Sequence, residues 1–133
     1  MPENRKLGVL MQIGHASSKG SLSLRRWSEF EKVKKTGVKT GGQNMILVKI
    51  ESPDGKLRIG IICGRKFDKR AVVRNRARRV VKESFRLIRN GVREAHLIII
   101  PRKIMMDRTA AEVQKELVKL LSKAGLWKEK LEF

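Results

Sequence analysis

The run Ala71-Val72-Val73-Arg74-Asn75-Arg76-Ala77-Arg78-Arg79-Val80-Val81-Lys82-Glu83-Ser84-Phe85-Arg86 decides how this chain folds. Advancing about 100° per residue from Val73 gathers Val73, Ala77, Val80, Val81, Ser84, Leu87 and Ile88 on one side, with Phe85 at its edge. Asn75, Arg78, Arg79, Lys82, Arg86 and Arg89 fall on the other. The period is that of an amphipathic helix, placed over Ala71 to Asn90 with Gly91 as its stop. Residues three and four apart are neighbours on a helix surface, so Asn75, Arg79, Lys82 and Arg86 form one polar stripe, widened by Arg78 and Arg89. Such a helix needs an apolar surface to lie on.

The flanks supply that surface. Upstream, Asn44–Ile50 and Leu57–Cys63 are rich in strand formers, and Ser52-Pro53-Asp54-Gly55 between them is a tight turn, so the two runs are read as a hairpin. A short strand around Val38–Thr40 carries a weaker signal. Leu24, Trp27, Phe30 and Val33 recur at three-residue spacing, which places a helix from Ser23 to the stop at Gly37. Downstream, Leu97–Ile100 closed by Pro101 reads as a buried strand. Thr109 with Glu112 is a capping box opening a last helix, whose Val113, Leu117, Leu120 and Leu121 share a face and which ends at Gly125. The order predicts an α+β sandwich: a four-stranded, mainly antiparallel sheet with three helices, one sheet face covered. Residues 1–20 are read as a flexible N-terminal tail, residues 21–125 as the domain, and residues 126–133 as a fraying C-terminal tail from which Trp127 packs back.

Charge narrows the partner. Lys and Arg total 32 against 13 Asp and Glu, a net charge of +19 on 133 residues. Solubility needs only about 2–8, and self-repulsion on this scale calls for a polyanion. Between Arg65 and Arg89 stand eleven basic residues and only two acids, Asp68 and Glu83, whereas an ordinary solvated helix face alternates sign. Most are arginines, which grip phosphate oxygens in pairs and stack on bases. Asn75 adds an amide for a phosphate, a base edge or a local bond near the helix start. Aromatic residues make up 5% and tyrosine is absent, which argues against a broad base-stacking sheet.

Other classes fall away. Cys63 is the single cysteine, set in an apolar run, so no internal disulfide forms and a buried strand thiol is expected. No nucleophile–base pair, metal-ligand cluster or phosphate-cradling glycine loop stands out. Leu97–Ile100 is too short to span a bilayer, and no signal-peptide pattern opens the chain. A cytoplasmic address with no membrane partner is expected.

The arginine-asparagine-arginine run at Arg74-Asn75-Arg76, in its helix, resembles the signature helix of bacterial ribonuclease P proteins. Ile61–Phe67 is similar to that family's strand leading into a lysine-rich turn, Ser28-Glu29-Phe30 with Gly37 to its first helix, and Leu97–Arg102 to its last strand and exit. The likeness spans roughly residues 22–122. It implies a fold like domain 2 of ribosomal protein S5 with a left-handed βαβ crossover. It implies a subunit that binds ribonuclease P RNA one-to-one as a monomer and helps that RNA remove the 5′ leader of precursor tRNA, with Mg²⁺ held by the RNA and no catalytic protein side chain. Carried over by position, Arg65, Lys66, Arg74, Asn75, Arg76, Arg78, Arg79, Lys82 and Arg86 contact RNA, while Phe30, Lys34 and Lys66 line a cleft for the leader. Three departures stand out: Lys34 replaces a frequent aromatic, the turn Phe67–Arg70 is a residue longer and lacks a glycine, and His96 replaces an acid. The rivals left open by composition are a structural RNA-binding protein of ribosomal type, a self-sufficient nuclease and a DNA-binding architectural protein.

Overall fold

The computed structural model describes residues 23–128. The tail read over residues 1–20 and the last residues of the second tail lie outside them. The elements run α1 (Trp27–Thr36), β1 (Val38–Gly41), β2 (Met45–Ile50), β3 (Arg58–Ile61), α2 (Ala71–Ile88), β4 (His96–Pro101) and α3 (Ala110–Lys123), with 3-10 turns at Arg89–Gly91 and Lys103–Asp107.

The sheet order is β1-β2-β4-β3. β1 and β2 are antiparallel, as are β2 and β4, whereas β3 lies parallel to β4. The α+β expectation therefore holds, with a mixed sheet. The hairpin expected from Asn44–Ile50 and Leu57–Cys63 does not form, because β4 lies between them. Leu97, Ile98 and Ile99 are all fully buried, so β4 is apolar on both faces and belongs in the sheet interior. The true hairpin joins β1 to β2, where the Gly42 N–H donates to the Met45 carbonyl at 2.8 Å. The Ser52–Gly55 turn is held instead by Asp54, whose carboxylate binds Arg58 at 2.6 Å and the ring of His96 at 3.1 Å.

Both sheet faces are covered, not one. Register puts Val48, Ile98 and Gly60 side by side. A Cβ on Gly60 would collide with the Phe30 ring and crowd Leu24 at 3.2 Å, so α1 lies on this face and only glycine admits its approach. The other face carries Leu47, Ile99 and Ile61. There α2 packs on β4 and on α3, and α3 reaches β1. One continuous core joins the layers.

Two boundaries move. α1 begins at Trp27 rather than Ser23, because Ser23 bridges Ile59 and the Leu24 N–H donates to the Ile59 carbonyl at 3.0 Å. Leu24 is buried from an extended segment, and Trp27 is 60% exposed, off the core stripe. At the far end Leu126 is buried, and Trp127 bridges Val92 with its ring against Gly91, so the chain stays packed beyond Gly125. Gly125 takes φ +76°, the left-handed value that ends α3. The Thr109–Glu112 capping box is present, with bonds of 2.9 and 3.1 Å.

Candidate nucleic-acid interface

The turn from β3 into α2 builds the site. Phe67 is buried and anchors it to the core, while its neighbours Arg65 and Lys66 are exposed. Asp68 is buried beside them and organises the turn. Its carboxylate accepts the Arg70 N–H at 2.8 Å, both sides of the Arg70 guanidinium at 3.1 Å, and the Lys103 ammonium at 2.6 Å. The Arg70 guanidinium, and Lys103 after it, hold the Asp68 carboxyl well below the usual carboxylate range. These residues, with Lys69, surround an open hollow of about 530 Å³.

The signature residues divide into two groups. Arg74 turns back, donating to the carbonyls of Asp68 at 3.1 Å and Lys69 at 2.8 Å. Arg78, expected on the open face, is only 5% exposed. It donates to the Cys63 carbonyl at 2.6 Å and to the Asn75 side chain at 2.8 Å, and burial pulls its pKa down. Asn75 is thus engaged locally. Arg74, Asn75 and Arg78 fasten the start of α2 to the turn and to the end of β3, and Cys63 is buried there as expected.

The second group faces outward. Arg76 and Arg79 are exposed, and Lys82 is half-buried with its pKa lowered by that burial. Arg86 is exposed but bound by Glu83. With Arg65 and Lys66 these cations form one basic surface along the outer side of α2 and the turn before it. Leu87, expected on the buried side, is 60% exposed.

The leader-cleft residues are not all accessible. Phe30 is 7% exposed, packed over Gly60. Lys34 is exposed and pairs with Glu31 at 3.5 Å. Beyond α1, on the same sheet face, Ile46 and Ile100 are register partners and Ile62 follows two residues after Gly60. All three are half-buried, an apolar floor that sequence reasoning missed. Lys103 was missed as well, since only the fold brings it to Asp68. Asp68 itself was legible as the lone acid of a basic turn.

The family profile described as ribonuclease P matches residues 19–125. The chain belongs to the ribonuclease P protein family. Membership makes it a holoenzyme subunit associated with ribonuclease P RNA and involved in 5′ processing of tRNA. It is 32% identical over 111 residues to the ribonuclease P protein component of Clostridium kluyveri, covering 79% of this chain and 96% of that one. The corresponding Bacillus velezensis protein is 30% identical over 107 residues, 80% of this chain and 91% of that one. Among solved structures, the Thermotoga maritima RNase P protein matches with a TM-score of 0.68 at 25% identity, over 76% of this chain and 96% of that one. The Staphylococcus aureus RNase P protein shares the fold with a TM-score of 0.71 at 21% identity, over 80% and 97% of the two chains.

Proposed function

We propose that this subunit works by binding and positioning RNA while the RNA subunit cuts, one protein to one RNA, in the cytoplasm. The observation that carries this reading is the continuous outward row of Arg65, Lys66, Arg76, Arg79, Lys82 and Arg86 on a domain of net charge +19. A surface of one sign, fixed on a packed helix, neutralises phosphates at defined positions and releases their counterions. Arg76 and Arg79 supply the guanidinium forks, and Arg74, Asn75 and Arg78 hold the helix that presents them.

No helix among the described residues is long and apolar enough to cross a membrane. Among those residues, no group of three or more His, Cys, Asp or Glu side chains could hold a metal. The buried carboxylate in the basic turn, Asp68, already has Arg70 and Lys103 as partners. In this reading the Mg²⁺ of the reaction belongs to the RNA subunit, and the protein contributes cations such as Arg76 and Arg79. The protein's part is to lower the repulsion that precursor tRNA meets at the RNA subunit, and to add affinity for the single-stranded 5′ leader through the floor of Ile46, Ile62 and Ile100 with Lys34 and Lys66 at its sides.

The decisive experiment mixes the purified chain with ribonuclease P RNA and precursor tRNA at physiological Mg²⁺. The chain should stimulate leader removal and cleave nothing by itself. Cleavage by the protein alone, or no stimulation, overturns the reading.

A further inference from the structure

Resting on that reading, we propose that Trp27 is the ring on which a base of the 5′ leader stacks, beside the cleft position that the family resemblance implied for Phe30. Phe30, Phe67 and Phe85 are buried, and Trp127 is half-buried against Gly91. Among the described residues Trp27 is therefore the one widely exposed aromatic ring, at 60%. Nothing in the core accounts for an indole at the first position of α1.

Its direction gives it a use. Trp27 and Lys34 are seven residues apart, which places them within about 20° of each other around the helix. Glu29 lies on the opposite flank, where its carboxylate accepts the N–H groups of Arg25 and Arg26 at 2.8 Å each, in the segment whose Ser23 carbonyl accepts from Arg58 at 3.4 Å. Arg58 and His96 are register partners at one end of the parallel pair β3–β4. The Trp27–Lys34 flank therefore looks towards the other end of the strands, where Ile46, Ile62 and Ile100 are half-buried and Lys66 follows β3.

On this placement the surface has an apolar floor, an indole on its helical side, and the exposed Lys34 and Lys66 flanking it; Arg26, next to Trp27 in sequence, is exposed as well. Bases offer flat apolar faces and phosphates offer charge, so single-stranded RNA satisfies both parts of this surface. The two N–H bonds accepted by Glu29 fix the backbone leading into Trp27. Stacking tolerates any base, which suits leaders of differing sequence.

The test uses the full chain assembled with ribonuclease P RNA. Trp27→Ala should weaken binding of leader-bearing precursor tRNA about tenfold, the scale of one stacked base. Binding of mature tRNA should be unchanged, and Trp27→Phe should restore most of the loss. With Trp127→Phe making Trp27 the only indole, its emission should be quenched by leader-bearing RNA and not by mature tRNA. If the Trp127→Phe chain does not fold, the affinities of the Trp27 variants decide alone. Unchanged precursor affinity in Trp27→Ala overturns the proposal, as does quenching by the RNA subunit alone or equally by mature tRNA. A parent chain that fails to stimulate cleavage instead overturns the functional reading, so the two failures are distinguishable.

Discussion

Arg78 and Arg79 are adjacent in sequence and opposite in role. The Arg78 guanidinium is buried and satisfies the Cys63 carbonyl, whereas Arg79 reaches solvent. Removing a charged donor from a buried carbonyl costs about 1.5–3 kcal/mol. Arg78→Ala is therefore expected to lower unfolding stability by that amount in urea titrations. Arg79→Ala should stay within about 0.5 kcal/mol and bind RNA more weakly instead. A loss within about 0.5 kcal/mol in Arg78→Ala would show that Arg78 is not structural. Asp68 adds a pH dependence. Its carboxyl ionises below the ordinary value of 3.8 when folded, because Arg70 and then Lys103 bond its charged form. The stability it contributes is thus fully present above the unfolded value and is lost as pH falls through the folded one. Asp68→Asn should be less stable than the parent at neutral pH, and the gap should begin to narrow below about pH 4 and close only as pH falls through the folded value. A gap that persists in acid would assign the loss to packing.

At the scale of the element, α2 shows what periodicity can and cannot locate. Spacing alone puts Ala77, Val81, Ser84 and Ile88 on the buried side, and all four are buried. The buried arc, however, is centred near Val81, roughly 80° round from Val73. That rotation carries Arg78 inward and Leu87 out. Amphipathic period fixes the width of an apolar face, but the angle at which the helix meets its sheet depends on partners distant in sequence, here the end of β3. For the same reason Arg74 turns back to fasten the helix, whereas Asn75 stays exposed while its side chain accepts from Arg78. The exposed row makes a separate expectation. Each phosphate left without its protein cation lowers the slope of log affinity against log salt by about one. Arg79→Ala with Lys82→Ala should therefore reduce the slope for ribonuclease P RNA by about two, measured by filter binding across a KCl series. Glu83→Gln, which removes an acid and releases Arg86, should raise affinity a few-fold; a fall would mean that the pair aims Arg86 at its target.

For the whole molecule, the elements were legible and their neighbours were not. The sequence marked β4 as a buried strand, yet its insertion between β2 and β3 is a long-range event that no local turn announces, and a well-formed Ser52–Gly55 turn pointed to the wrong partner. Trp27 was misplaced for a related reason: its three-residue spacing from Leu24 and Phe30 looked helical, although Leu24 belongs to an extended segment pinned to Ile59. Charge, by contrast, needs no register, and the basic balance already pointed to a polyanion. It also sets how the free chain responds to salt. With 32 cationic and 13 acidic side chains, repulsion acts across the whole domain, whereas attraction acts within close pairs, among the described residues Asp54–Arg58, Asp68–Lys103 and Glu83–Arg86 for example. Screening removes the repulsion and weakens exposed pairs such as Glu83–Arg86, which contribute little to begin with, whereas the pair at buried Asp68 is screened less. Net repulsion should dominate, so the melting temperature of the free chain should rise between about 0.05 and 0.5 M KCl, while affinity for RNA falls over the same range. Opposite slopes in calorimetry and binding are the expected signature of a fold completed by its polyanion. A melting temperature that falls with salt would instead show that its ion pairs outweigh the repulsion.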